Sequence, residues 1–444
     1  MDAETNDNTL YHARGFLDVP LLAVICKILC MTPRTLRILI ALALAGAALV
    51  AFGLWLWNHP LLDPQALGQA QRQSSQDGSN DTGRPSTGGS PPARPIELHA
   101  ARGFTATRLG PCTLVTVLNP RQGDARTFKY LLVPRGTARA DIPQVDADLV
   151  ISTPVRRIVA LSVTHLPPLD ELGALDRLVG VGQAKLIYHP EVRARLDSGD
   201  VTQVATGGRP DVERLLALGP DAIMTSIVNE TDNGMQAMRN AGLPVIVNAD
   251  YMEPTPLGRA EWIKFMALFL GPAERARADR LYADIARNYR TLAERARRAA
   301  PKPVVLLNTE FKGTWYMAGG ESYMARLLAD AGARYPWADT NVTGTLPLDF
   351  EAVFARAADA GVWLTMGQAD SRAALLRQNP LYAKFRAFRD GRLYNNDART
   401  TRGGGNDYWE RALSHPDKLL ADLVRILHPG LAPDHEPVWF RKME

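Results

Sequence analysis

The hydrophobic positions change rhythm several times along the chain, and each change marks a different kind of segment. From Ile38 to Trp57 the run ILIALALAGAALVAFGLWLW carries no charge. At about 1.5 Å rise per residue it covers a bilayer core of about 30 Å, which predicts a membrane-spanning helix within 36–58. Residues 65–95, inside a stretch at 59–96, are rich in Gln, Ser, Gly and Pro and nearly free of large apolar groups, the composition of a disordered linker. From about 98 to 150 apolar positions alternate in short runs such as CTLVTVLNP and TFKYLLVPRG, separated by turn residues such as QGD. That period of two predicts a small set of antiparallel strands.

From 155 onward strand-like runs alternate with helical ones: RRIVALSV, LDELGAL, RLVGVG, VERLLALGPDA, DAIMTS, MQAMRNAG and LPVIVN. A second such series starts at KPVVLLNTE and passes through WYMAG, SYMARLLADAG, FEAVFARAADA, AGVWLTM and GRLYNN to a helix from about Asp407 to Leu427. This alternation predicts an α/β fold with two Rossmann-like lobes built on mainly parallel sheets. The first lobe, with the strand-rich segment before it, occupies 97–271 and the second 301–444. Between them lies PLGRAEWIKFMALFLG and then one long helix over 272–300, with Pro272 fitting its first turn. A helix of that length between two α/β units predicts a rigid strut.

The stretches VERLLALGPDA and FEAVFARAADA align without gaps and keep Glu213 over Glu351 and Asp221 over Asp359. Each lobe thus supplies an equivalent helix with a glutamate near its start, where the helix dipole favours a carboxylate by ~0.3–1 kcal/mol. Taken singly, each acid reads as a helix stabiliser. As a pair, one per lobe, they suit docking onto a two-fold partner with basic sockets.

Composition narrows the function. With 444 residues, 46% hydrophobic and 22% charged, the chain can bury more than one core. Its 51 basic residues are interleaved with 47 acidic ones, which leaves no electrostatic footprint for nucleic acid. Of three cysteines, Cys26 and Cys30 precede the apolar run and Cys112 stands alone, so neither a disulfide framework nor a cysteine metal cluster is predicted. The eight histidines are scattered, with no HExxH, and GxSxG and P-loop motifs are missing. RGGGND lacks the strand-to-helix setting of a dinucleotide fingerprint. These features point away from an enzyme, a resident metal or a cofactor.

Lys27, Arg34 and Arg37 precede the apolar run while His59 and Asp63 follow it, so the positive-inside bias leaves residues 1–35 in the cytoplasm and exports the body. Two readings of the run stay open. Its length and the Trp55 and Trp57 belt favour a retained anchor; the other reading is a signal peptide cut near ALG at 66–68. Met31, followed by TPR, would itself make a good signal start, leaving residues 1–30 as an upstream extension.

Three stretches then carry a resemblance: RRIVALSVTHLPPLDELGALDRLVGVG, YMEPTPLGRAEWIKFMALFLGPAERA and RGGGNDYWERALSHPDKLLADLVRILHPG. The body from about 100 to 428 resembles the periplasmic substrate-binding proteins of ABC importers, in the class that carries iron-siderophores, haem and cobalamin. The resemblance implies two lobes joined by a single long helix, a metal-chelate ligand with a ferric siderophore first, and a dimeric ABC permease with its ATPase as partner. It also implies that Glu213 and Glu351 dock on permease arginines, and that the protein works on the periplasmic side of the inner membrane. The alternatives are a corrinoid or haem ligand, or an anchored sensor or scaffold that no longer transports.

In open α/β sheets, ligands sit beyond the carboxyl ends of the strands. That rule nominates Thr164, His165, Lys185, Tyr188, Tyr251 and Glu253 on the first lobe. On the second it nominates Phe311, Trp315, Tyr316, Thr343, Gln368, Arg399 and Arg402. Aromatics would wall a flat or chelated ligand and arginines would pair with its oxygens. By strand alternation one of Trp315 and Tyr316 faces a core, Tyr251 could pack under the strut, and residues such as Lys185 and His165 are more often surface polar groups than ligands.

Overall fold

The computed structural model describes residues 93–227, 234–367 and 369–444. The apolar run at 38–57 and the tether up to residue 92 lie outside them, and among the described residues no helix is long and apolar enough to cross a membrane.

The period-two segment forms a five-stranded sheet in the order β1 (Arg94–Pro95), β2 (Phe104–Leu109), β3 (Cys112–Leu118), β4 (Thr127–Pro134), β5 (Leu149–Thr153). Its pairs are antiparallel except β4–β5, which is parallel. Alternation sends Phe104, Val115, Val117, Phe128 and Tyr130 into the main core, while Cys112, Leu131 and Val133 form a small cluster on the other face. β1 lies inside the stretch read as linker: Arg94 and Pro95 pair with Arg108 and Thr107, an edge position that tolerates proline.

The first lobe has an all-parallel sheet of β6 (Ile158–Ala160), β7 (Leu178–Val181), β8 (Thr202–Gln203), β11 (Ala222–Thr225) and β12 (Val245–Val247), in the order β12-β11-β6-β7-β8. β6, β11 and β12 are wholly buried and apolar apart from Thr225, as strands covered on both faces require. A small ribbon, β9 (Ala205–Thr206) against β10 (Arg209–Pro210), turns through Gly207 and Gly208 at positive φ.

The second lobe has two sheets. β13 (Val305–Leu307), β17 (Val362–Thr365) and β18 (Leu393–Asn395) are parallel, and β19 (Arg441–Lys442) closes the edge antiparallel. Thr314–Ala318, read as part of the parallel series, instead forms β15 of a separate antiparallel sheet between β14 (Glu310–Phe311) and β16 (Thr345–Leu348). Lys312 and Gly313, both at positive φ, make the two-residue turn that folds β14 back on β15. The carboxy-terminal helix also differs from expectation: Asp407–Glu410 is a separate short helix, and Pro416 opens a new one, Pro416–Leu427.

The long helix spans Pro272–Arg297, 26 residues. Its buried stripe serves both lobes. Ala278, Tyr282, Ile285 and Ala286 belong to the first core, and Tyr289, Ala293 and Ala296 to the second.

Two buried carboxylates just before this helix hold the amino-terminal segment in place. Glu261 accepts the backbone N–H of His99 (2.9 Å), Ala100 (2.7 Å) and Ala101 (2.9 Å) and pairs with buried Lys264 at 2.9 Å. Burial alone would raise its pKa, but the Lys264 bond and these N–H groups outweigh that and hold it below the usual range. Glu253 Oε1 accepts from Arg102 N–H (2.8 Å), Gly103 N–H (2.8 Å) and Trp262 Nε1 (2.9 Å).

Candidate functional site

A cavity shared by both lobes has a volume of about 640 Å³. The first lobe lines it with Tyr251–Pro254, after β12, and the second with Leu307 and Asn308 at the end of β13 and Met366 after β17. Tyr323, Met324 and Trp409 add apolar wall, and Thr343–Thr345 form one rim. The amino-terminal sheet supplies Arg102, Gly103, Leu118, Asn119, Arg121 and Gln122. A smaller cavity of about 240 Å³ lies within the first lobe at the ends of β6, β7 and β11, where the strand order switches direction. A third, about 560 Å³, lies beside the β14–β15 hairpin and shares Asn308 and Met366 with the large one.

The nominated residues divide between these surfaces and the interior. Tyr251, Glu253 and Thr343 line the large cavity, and Phe311 and Tyr316 line the third. Tyr251 is held by its hydroxyl, which donates to the carbonyls of Pro120 and Ile227. Phe311 and Tyr316 are 64% and 44% exposed, so the hairpin presents two bare rings. Gln368 lies outside the described residues.

Trp315 is not a cleft residue. Alternation along β15 turns it into the second core, where it stacks on Trp363 at 5.8 Å and its Nε1 donates to Leu307 O at 2.9 Å. His165 is also interior. The chain turns directly from β6 into the short helix Val163–His165, and the imidazole is fully buried. Burial pulls its pKa down to about 4. Thr164 instead shares a hydrogen bond with Ser162, at 3.0 Å between hydroxyls.

Tyr188, Arg399 and Lys185 meet where the lobes touch. The Arg399 guanidinium lies 5.2 Å from the Tyr188 ring centroid and pairs with buried Asp407 at 2.8 Å, so its charge is already matched. Lys185 is exposed beside Gly403, and Arg402 is exposed with no ion pair among the described residues. Neither lines the cavities described above. Their neighbours, missed in the sequence, fasten the lobes: Glu410 accepts the N–H of Tyr188 (2.7 Å) and His189 (3.0 Å), Arg411 pairs with Asp170 at 3.3 Å, and His415 meets Glu171 at 2.5 Å.

Burial pushes the Glu410 carboxyl up to about 7, against the Tyr188 N–H bond. The folded protein keeps that proton up to about pH 7, whereas an unperturbed glutamate loses it near 4.5, so Glu410 favours the fold at low pH and the benefit is lost as pH rises to 7. His165 acts oppositely: an unperturbed histidine gains its proton near 6.5 while this one stays neutral to about 4, so its benefit is lost as pH falls from 6.5 to 4. Glu410→Gln removes only the first slope. Across pH 4.5–7 the wild type should therefore lose up to about 3 kcal/mol relative to that variant, measured by denaturant unfolding in a pH series.

Glu213 and Glu351 occupy equivalent places. Asp211 caps Val212–Leu218 by accepting from Arg214 N–H (3.0 Å), and Asp349 caps Phe350–Ala357 by accepting from Ala352 N–H (2.7 Å). Both glutamates sit exposed in the first turn.

A family model described as periplasmic binding protein matches residues 158–400. An uncharacterized lipoprotein of Methanocaldococcus jannaschii is 24% identical over 345 residues, covering 73% of this chain and 81% of its own length. A second from the same organism is 26% identical over 311 residues, covering 68% and 76%. Among solved structures, a periplasmic haem-binding protein of Pseudomonas aeruginosa is 24% identical with a TM-score of 0.49, covering 65% of this chain and 98% of that one. A periplasmic vitamin B12 binding protein of Vibrio cholerae is 15% identical with a TM-score of 0.43, covering 64% and 99%. Since the family match takes in more than half of its residues, the chain belongs to the periplasmic binding protein family, whose members carry ligands rather than turn them over.

Proposed function

We propose that the protein is the substrate-binding component of an ABC importer, exported to the periplasmic side of the inner membrane, and that it captures a metal chelate, a ferric siderophore in the first instance. The observation that carries this reading is the cavity of about 640 Å³ lined from both lobes by residues that follow strand ends. Its size suits a compact chelate and its aromatic and methionine wall suits an apolar ligand face. The long helix would act as the hinge between lobes, with the apolar run at 38–57 holding the body at the membrane. The paired glutamates Glu213 and Glu351 would meet the permease dimer.

Trp409, 43% exposed in the cavity wall, is a natural reporter. Titrating the purified full chain with a ferric tricatecholate, a ferric trihydroxamate, haem and cyanocobalamin should give saturable tryptophan quenching by a ferric chelate at micromolar concentration or below, an affinity of about 8 kcal/mol. Saturation by haem or cyanocobalamin alone would replace the siderophore with a tetrapyrrole. If all four fail to bind, the chelate reading falls.

A further inference from the structure

The sheet at 94–153 precedes the residues matched by the family model, yet it and its loops line one side of the large cavity. The wall is built into the first lobe. Phe104 packs on Trp262 and Phe265, the Tyr130 hydroxyl accepts Val247 N–H at 2.8 Å, and Glu253 binds the backbone of Arg102 and Gly103. Tyr251 fixes the β3–β4 turn by donating to Pro120 O. The same turn reaches the second lobe: a Cβ added to Gly344 would lie 2.9 Å from Gln122 Oε1.

The chemistry of the two sides differs. The sheet offers the Arg102 guanidinium, which has no ion pair among the described residues, together with Arg121 and the amides of Asn119 and Gln122. The second lobe supplies a mainly apolar lining, with Met324, Met366 and Trp409 interrupted by Asn308, Ser322 and Thr343–Thr345. A cavity with cation and amides on one side and thioethers and indole on the other selects a two-faced molecule. We propose that the amino-terminal sheet is a specificity wall, and that the cargo turns an anionic, acceptor-rich edge toward Arg102 and Gln122 and an apolar face toward the second lobe. This rests on the chelate-binding reading above.

The test uses the full chain as wild type, Arg102→Gln and Gln122→Ala, each titrated with an anionic ferric tricatecholate, an uncharged ferric trihydroxamate, haem and haem dimethyl ester. The last two share an apolar body and differ in their carboxylates. Both side chains are exposed, so the melting temperature serves as a control for folding and should not move. The expected result is that wild type prefers the anionic member of a pair, and that Arg102→Gln weakens that member about tenfold while leaving the uncharged member within about twofold. Gln122→Ala should weaken the anionic member by a smaller factor. If wild type binds a chelate and both variants bind it equally well, the wall proposal is overturned while the chelate reading stands. Preference of wild type for the uncharged member overturns the charge assignment. Failure of wild type to bind any of them removes the chelate reading itself.

Discussion

Replacing Glu261 by alanine is expected to lower the unfolding free energy by about 3–5 kcal/mol, among the largest single-site losses in this protein. Three backbone N–H groups lose their acceptor, and Lys264, itself buried, loses its closest counter-charge. Among the described residues only the more distant, largely exposed Asp279, 3.6 Å away, remains to Lys264. Each stranded donor costs about 1–3 kcal/mol in isolation, partly relieved where the segment can relax toward water. Urea unfolding monitored by tryptophan fluorescence reads the loss directly. Glu261→Gln, which keeps an acceptor and the side-chain volume, should lose clearly less. Equal losses in the two variants would show that the negative charge, not packing or a neutral acceptor, holds the segment, and no loss in Glu261→Gln would overturn the role of the charge. The paired carboxylate also makes the fold acid-sensitive. Its folded pKa lies below the ordinary value of 4.5, so its contribution is full above 4.5 and is lost as pH falls through the folded value.

Reversing the charge at both Glu213 and Glu351 is expected to reduce uptake of the bound chelate roughly a hundredfold or more while leaving its binding unchanged. On the proposed docking, each reversal would set an arginine against a basic socket, and apposed like charges cost several kcal/mol at each contact. Neither glutamate is buried, so the fold should tolerate both changes. The aspartate caps at 211 and 349 keep each helix start intact. The measurement is chelate accumulation in cells carrying the importer, compared with fluorescence titration of the same variant. Single reversals should fall between wild type and the double variant. Uptake at the wild-type rate in the double variant would remove the docking role.

Much of this architecture could be read from rhythm. The switch from period two to strand–helix alternation located both α/β units, the long helix and the repeated acidic helix start, because those features depend on neighbours within a few residues of one another. Alternation also stated that Trp315 and Tyr316 must face opposite ways, and β15 buries the first and exposes the second. Contacts made at long separation were invisible. Glu261 binds His99 across 162 residues, and Glu410 binds Tyr188 across 222, with nothing local to announce either. For the same reason the turn at QGD read as a mere strand separator, although its own Gln122 and the neighbouring Asn119 and Arg121 reach the cavity. Trp409 had a readable signal, the second of two aromatics a few residues past a glycine run. His165 failed as a site residue because its position after a strand end says where the chain goes, not which way a side chain in a tight turn points.

The long helix has a consequence for any attempt to divide the molecule. Its inward-facing residues pass from Ala286 in one core to Tyr289 in the next, leaving no neutral stretch where the chain could be cut. A break near the middle would leave each fragment trailing a few turns with a greasy, uncovered side. Such pieces should be soluble only when mixed, so co-expressed halves ought to recombine while either half made by itself should precipitate.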